Sequence, residues 1–328
     1  MTDPKISEAQ SSRAETAAGP SHTAPAHSGF FSQRNLLFLA FLAVSAGLFW
    51  GPIRTLIDYS MRGEHKYDQY SITVMIPFLS AAVVFGARKR IFASVQYSFW
   101  GGGILLAAGI AADWLARRGA GTMGVEAALS LAILGLVIFW IGGLVLCYGR
   151  RAFRAGLFPL LFLLLTVPLP SALLNGPVTF VQHGSADVAS AVFAVFGVPV
   201  LRSGLVFALP ALSIQVAKEC SGIHSMLALF VIALLAGYLT GLVLWKRSIL
   251  VALIFPIVCL TNGLRISALA LLSNYLDPRI IHSSLHRDGG FLFFGMAMIV
   301  LLGVMYLMGV RRRKPAHSAA AATLPTEK

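Results

Sequence analysis

Charge is what this chain has least of. Asp, Glu, Lys and Arg together supply 12% of 328 residues, and only 13 side chains are acidic. Soluble domains are about a quarter charged, so with 57% apolar residues a water-soluble fold is excluded and lipid is the solvent for most of the chain. The net charge of +13 does not indicate a nucleic-acid partner. The basic residues fall in short clusters between apolar segments, the pattern of loop anchors at a membrane surface. Cysteine is equally scarce, and three residues give no disulfide framework. There is no His-Glu-x-x-His zinc motif, no Gly-x-Ser-x-Gly elbow and no ligand spacing for a metal; neither metal nor cofactor is expected. No internal repeat of the transporter kind is visible. The first apolar run starts too late and runs too long for a secretory signal peptide.

What is present is a series of apolar segments. Eight reach or nearly reach the length of a bilayer crossing: about 35–56, 72–87, 95–116, 127–149, 155–174, 225–245, 248–264 and 291–310. The fold class expected is an all-α membrane protein of about eight transmembrane helices with an outer amphipathic loop region. Residues 1–32 and 313–328 read as disordered cytoplasmic tails around a polytopic domain over 33–312. Pro159, Pro168 and Pro170 kink or end the fifth segment early. Residues 266–276 either extend the seventh helix or fold back along the interface after Asn262-Gly263.

Alternate loops carry unequal charge. One set, including Arg88-Lys89-Arg90, Arg150-Arg151, Arg154, Lys246-Arg247 and Arg311 to Lys314, holds 15 Lys and Arg against 8 in the other. The richer side is cytoplasmic by the positive-inside rule. Both termini then lie inside, and Cys220, Arg265 and His286 fall at the outer face. In the outer loop, residues 178–200 intersperse Gln182, His183, Ser185 and Asp187 among apolar positions, which predicts amphipathic helices lying on the membrane surface. The stretch 205–216 has strand character and predicts a short hairpin.

Of the three cysteines, Cys147 and Cys259 sit inside apolar segments as small buried hydrophobes. Cys220 opens Cys220-Ser221-Gly222-Ile223-His224-Ser225 at the start of the sixth segment. A thiolate there meets the partial positive charge and unpaired N–H groups of a helix N-terminus, and Gly222 allows close approach of a substrate backbone. Arg265 lies about 17 residues along the seventh segment, roughly 25 Å up at about 1.5 Å per residue. It reads either as a snorkelling anchor or as a fork for an oxyanion or carboxylate. Asn262, three residues earlier, shares its helix face. His286 precedes the last helix, where it is either a solvated loop residue or a proton carrier. His224, His282 and His183 are rivals that spacing does not separate.

These runs, Cys220 to Ser225, Asn262-Gly263-Leu264-Arg265 and His286-Arg287-Asp288-Gly289-Gly290, resemble in order and spacing the signatures of the exosortase/archaeosortase family. Tyr70-Ser71-Ile72 resembles a further N-terminal motif. The resemblance covers about 35–312. It implies a membrane cysteine peptidase or transpeptidase with Cys220 as nucleophile, Arg265 as oxyanion or carboxylate stabiliser and His286 as proton carrier, supported by Asn262, Ser221, Gly222 and His224. It further implies substrates carrying a C-terminal Pro-Glu-Pro type motif, a transmembrane helix and a basic cluster, and possible association with exopolysaccharide machinery. Two positions depart from the pattern: His224 stands where relatives often have Arg, and Ile72 where they often have His. The competing functions are an exopolysaccharide polymerase or ligase, which has no need of Cys220, and an anion transporter built around Arg265.

Overall fold

The computed structural model describes residues 33–61, 68–93, 96–210, 212–217, 222–275 and 290–309. Its elements run α1 (Gln33–Leu48), α2 (Trp50–Met61), α3 (Asp68–Gly86), α4 (Arg88–Ile91), α5 (Phe99–Met123), α6 (Val125–Ala155), α7 (Leu157–Leu163, extended by a 3-10 turn at Leu164–Thr166), α8 (Ser171–Val195), β1 (Leu201–Ser203), β2 (Val206–Ala208), β3 (Ser213–Gln215), α9 (Ile223–Leu239), α10 (Leu244–Tyr275) and α11 (Gly290–Leu307). Both expected tails lie outside the described residues.

Among the described residues α5, α6, α10 and α11 are each long and apolar enough to cross a membrane, and the number reaches six if each of two bent pairs is one span. The expected segments 72–87 and 225–245 form shorter apolar helices, Ile72–Gly86 and Ile223–Leu239. Eight full-length crossings are therefore not reached by length and composition.

The breaks have local causes. α1 and α2 meet at 75° beside Pro52, which has no N–H for the Leu48 carbonyl. Arg117 on α5 donates to that oxygen instead, at 3.3 Å, and is itself held by Asp113 at 2.7 Å. The fifth segment divides as its prolines predict. Val167 and Leu169 each precede a proline, which disfavours helical backbone; Val167 is extended, and α8 leaves α7 at 93°.

Helices that share lipid as solvent associate by close packing over small residues. Gly102 and Gly109 on α5, and Gly135 and Gly142 on α6, each repeat after seven residues. A Cβ on Gly109 would lie 2.6 Å from the Gly135 carbonyl oxygen, so these two backbones nearly touch.

The region read as surface helices is a different object. It is one 25-residue helix, α8, packed along α10. Phe180 meets Phe255, Gly184 meets Cys259 and Val188 meets Gly263, so the two helices run in the same direction. Two of the polar residues that suggested a water-facing side point inward: Gln182 and Ser185 are buried, whereas Leu173 and Phe180 are exposed. The predicted hairpin is present and gains a third strand, in antiparallel order β1-β2-β3. It closes a small second core over the far ends of α8 and α10, built from Phe193, Phe207, Val216, Ile266 and Ala270. Residues 266–275 continue α10 without a fold-back.

The bundle has chemically distinct ends. Phe158 stacks on Tyr238 at 3.8 Å, Arg90 donates to the Tyr238 hydroxyl and Lys246 donates to the Met308 carbonyl. These contacts gather α4, α7, the end of α9 and the start of α10 at one end with Arg88, Lys89, Arg150, Arg151, Arg154 and Arg247. Asp58, Asp113 and Asp187 are each paired with an arginine instead, Arg54, Arg117 and Arg202 respectively.

Candidate active site

At the end remote from the basic clusters, three chain segments converge on one turn of α10. The first is the start of α9. Gly222 is its N-cap with φ 73°, a left-handed backbone that side chains other than glycine adopt only with strain. Its carbonyl accepts from Met226 N at 2.8 Å, which leaves the N–H groups of the first turn without helical acceptors. A Cβ on Gly222 would stand 3.3 Å from both Asn262 Cγ and Val258 Cγ1. Glycine thus serves both the turn and the contact.

The second segment is α10 itself. Asn262 is 5% exposed, and its Nδ2 donates to the Ser185 hydroxyl of α8 at 3.0 Å. Gly263 admits α8 so closely that a methyl group there would lie 2.5 Å from Val188 Cβ. Arg265 lies 21 residues after Leu244, about 32 Å along the helix at 1.5 Å per residue. It is half-buried and ten residues of α10 follow it. The helix-end anchor considered from the sequence therefore does not describe it.

The third segment is the start of α11. A methyl group built on Gly290 would lie 4.0 Å from Arg265 Cζ and Nη1, so the opening of that helix sits against the guanidinium. Cys220, Ser221, His282 and His286 lie outside the described residues. His224 is exposed in the first turn of α9, and His183 is exposed on α8. Cys147 and Cys259 are buried in helix packing, the latter with Sγ against Gly184. Among the described residues no cluster of three His, Cys, Asp or Glu side chains is placed to hold a metal.

Tyr70, of the N-terminal motif, is fully buried and meets Tyr59 edge-on at 5.4 Å. Ile72 and Thr73 line an apolar cavity of about 150 Å³ with Pro168, Leu174, Leu227 and Phe230. Sequence reasoning registered Ser185 and Gln182 only as polar interruptions of an outer loop. Their spacing of three residues within a run of helix formers was the available signal that both face one partner.

This arrangement suits the stabilisation of negative charge. The N-terminus of α9 and the Arg265 guanidinium both adjoin the Asn262–Arg265 turn, between two hydrophobic cores, where low dielectric strengthens the helix's N-terminal partial charge and the cation alike. No curated protein and no solved structure matches the chain. Residues 65–303, well over half of its length, match the family model described as transmembrane exosortase, and the chain belongs to that family.

Proposed function

We propose that, within the sortase-like transpeptidase role of its family, this protein is a membrane cysteine transpeptidase or protease that cleaves C-terminal sorting signals at the outer face of the inner membrane. The observation that carries the reading is the meeting of Gly222 and Gly290 at the Asn262–Arg265 turn. Cys220 is two residues before the first glycine and His286 four residues before the second. The reach of a chain is about 3.5 Å per residue, so bringing the two side chains to Arg265 asks for no more than about 7 Å and about 14 Å of chain.

In this mechanism His286 takes the thiol proton as Cys220 Sγ attacks the scissile carbonyl carbon. The oxyanion of the tetrahedral intermediate is held by Arg265 and the N–H groups of the first turn of α9. The C–N bond then breaks, His286 returns the proton to the leaving amine, and a thioester joins the substrate to Cys220. An incoming amine completes transfer, or water completes hydrolysis, and either regenerates the thiol. Asn262, Ser221, Gly222 and His224 support binding and alignment.

The charge distribution supports the orientation. With the basic end cytoplasmic, a substrate helix closed by its own basic cluster lies parallel to the bundle and presents its preceding motif at the level of Arg265. An acidic residue in that motif pairs with the guanidinium. The test is processing of a sorting-signal substrate by the intact protein in its membrane. Cys220→Ala and His286→Ala abolish cleavage at unchanged abundance, while His282→Ala is mild. Full processing by Cys220→Ala overturns the reading and favours chemistry that has no need of a thiol.

A further inference from the structure

We infer that Gln182 and Ser185, one turn apart on α8, are positioning residues for the reaction, bracing the chain on both sides of residues 218–221. The inference rests on the reading of Cys220 as nucleophile given above. Upstream of that segment, Gln182 Nε2 donates to the Val216 carbonyl at 2.9 Å, and Val216 N donates to the Leu205 carbonyl at 2.9 Å. The strand that leads toward Cys220 is thereby tied to α8 and to the sheet. Downstream, Ser185 accepts the amide proton of Asn262, and the Asn262 side chain is the surface against which Gly222 packs.

Both residues are at least nineteen-twentieths buried, where unpaired polar groups are costly and an apolar side chain would pack without needing a partner. Each hydrogen bond leads to one flank of the same four-residue segment. The platform beneath them is stiff: Gly184 against Cys259 and Gly263 against Val188 lock α8 to α10 with no room for a further carbon. A nucleophile is effective only when held within fractions of an ångström of its attack line. One bond holds Val216 and the other orients the Asn262 side chain against which Gly222 packs.

The experiment uses the full chain in its membrane with Cys147→Ala and Cys259→Ala, so that a water-soluble maleimide reports on Cys220 alone. Gln182→Met keeps the side-chain shape and removes the donor; Ser185→Ala removes the acceptor and Ser185→Thr keeps it. All rates are normalised to folded, inserted protein. Gln182→Met and Ser185→Ala are each expected to lower kcat about tenfold, the loss typical of one buried hydrogen bond, with KM for a sorting-signal peptide unchanged. The pH profile of maleimide reaction at Cys220 shifts in the same two variants, and Ser185→Thr restores both readouts. A purely structural role moves abundance but leaves normalised kcat and the maleimide profile at the parent values, and that result overturns the inference. Full processing by Cys220→Ala would instead sink the underlying reading, whatever the α8 variants do.

Discussion

Arg265 is where charge and geometry separate most cleanly. Its guanidinium faces the start of α11 from the interior of a long helix, not from a frayed end. A planar fork makes two parallel hydrogen bonds that an ammonium cannot reproduce. Arg265→Lys is expected to lose about 10²–10³ in processing rate, the usual effect of removing an oxyanion donor, at unchanged abundance by immunoblot. Near-parental turnover would reduce the arginine to a charge. Cys147→Ala and Cys259→Ala are expected to stay active in the same assay, because both thiols are buried in helix contacts. Much of this scale was legible in the sequence. Asn262 and Arg265 share a face through their three-residue spacing; Gly222, read as room for a substrate backbone, also serves a left-handed N-cap and the contact with Asn262. That Arg265 lies mid-helix was not legible, since an apolar run after Asn262-Gly263 is equally compatible with a fold-back.

At the scale of elements, the strongest determinant is how closely small residues let backbones approach. Gly263→Ala forces a carbon into Val188 and is expected to destabilise the protein by about 1–3 kcal/mol, the cost of overpacking. Gly303→Ala meets open space and gains the helix propensity of alanine, up to about 1 kcal/mol. Thermal unfolding in detergent distinguishes them: the midpoint falls for the first and holds or rises for the second. The same scale shows why α8 was misread. Periodicity reports that one face differs from the other, not which solvent each face meets. Beside lipid the outward face is itself apolar, as Leu173 and Phe180 are, and Gln182 and Ser185 turn inward to find partners. The prolines that end α7 act through local backbone geometry, so that break was readable in advance.

At the scale of the molecule, a basic end and a site end face opposite sides of one bundle. By the positive-inside rule the first is expected to be cytoplasmic. Reporter fusions after Lys246-Arg247 and after Asp288 are expected to report inside and outside respectively; the same side at both points would separate Cys220 and His286 and dissolve a shared site. The expectation comes from loop charge, which depends on composition alone, and these fusions are its test. The second core under the three-stranded sheet was not legible, because it joins Phe207 and Val216 to Ile266 and Ala270 across long sequence separations.

The central claim, that Cys220 attacks the sorting signal at the α9 N-terminus, is tested most directly by looking for the covalent intermediate. Full-length protein incubated with a sorting-signal substrate and quenched in acid should yield a Cys220-containing peptide heavier by the acyl part of the cleaved substrate. The adduct should be released by hydroxylamine, as a thioester is, and be absent from Cys220→Ala. Cleaved substrate accumulating with no such adduct, or with the adduct on Cys147 or Cys259, would contradict the account.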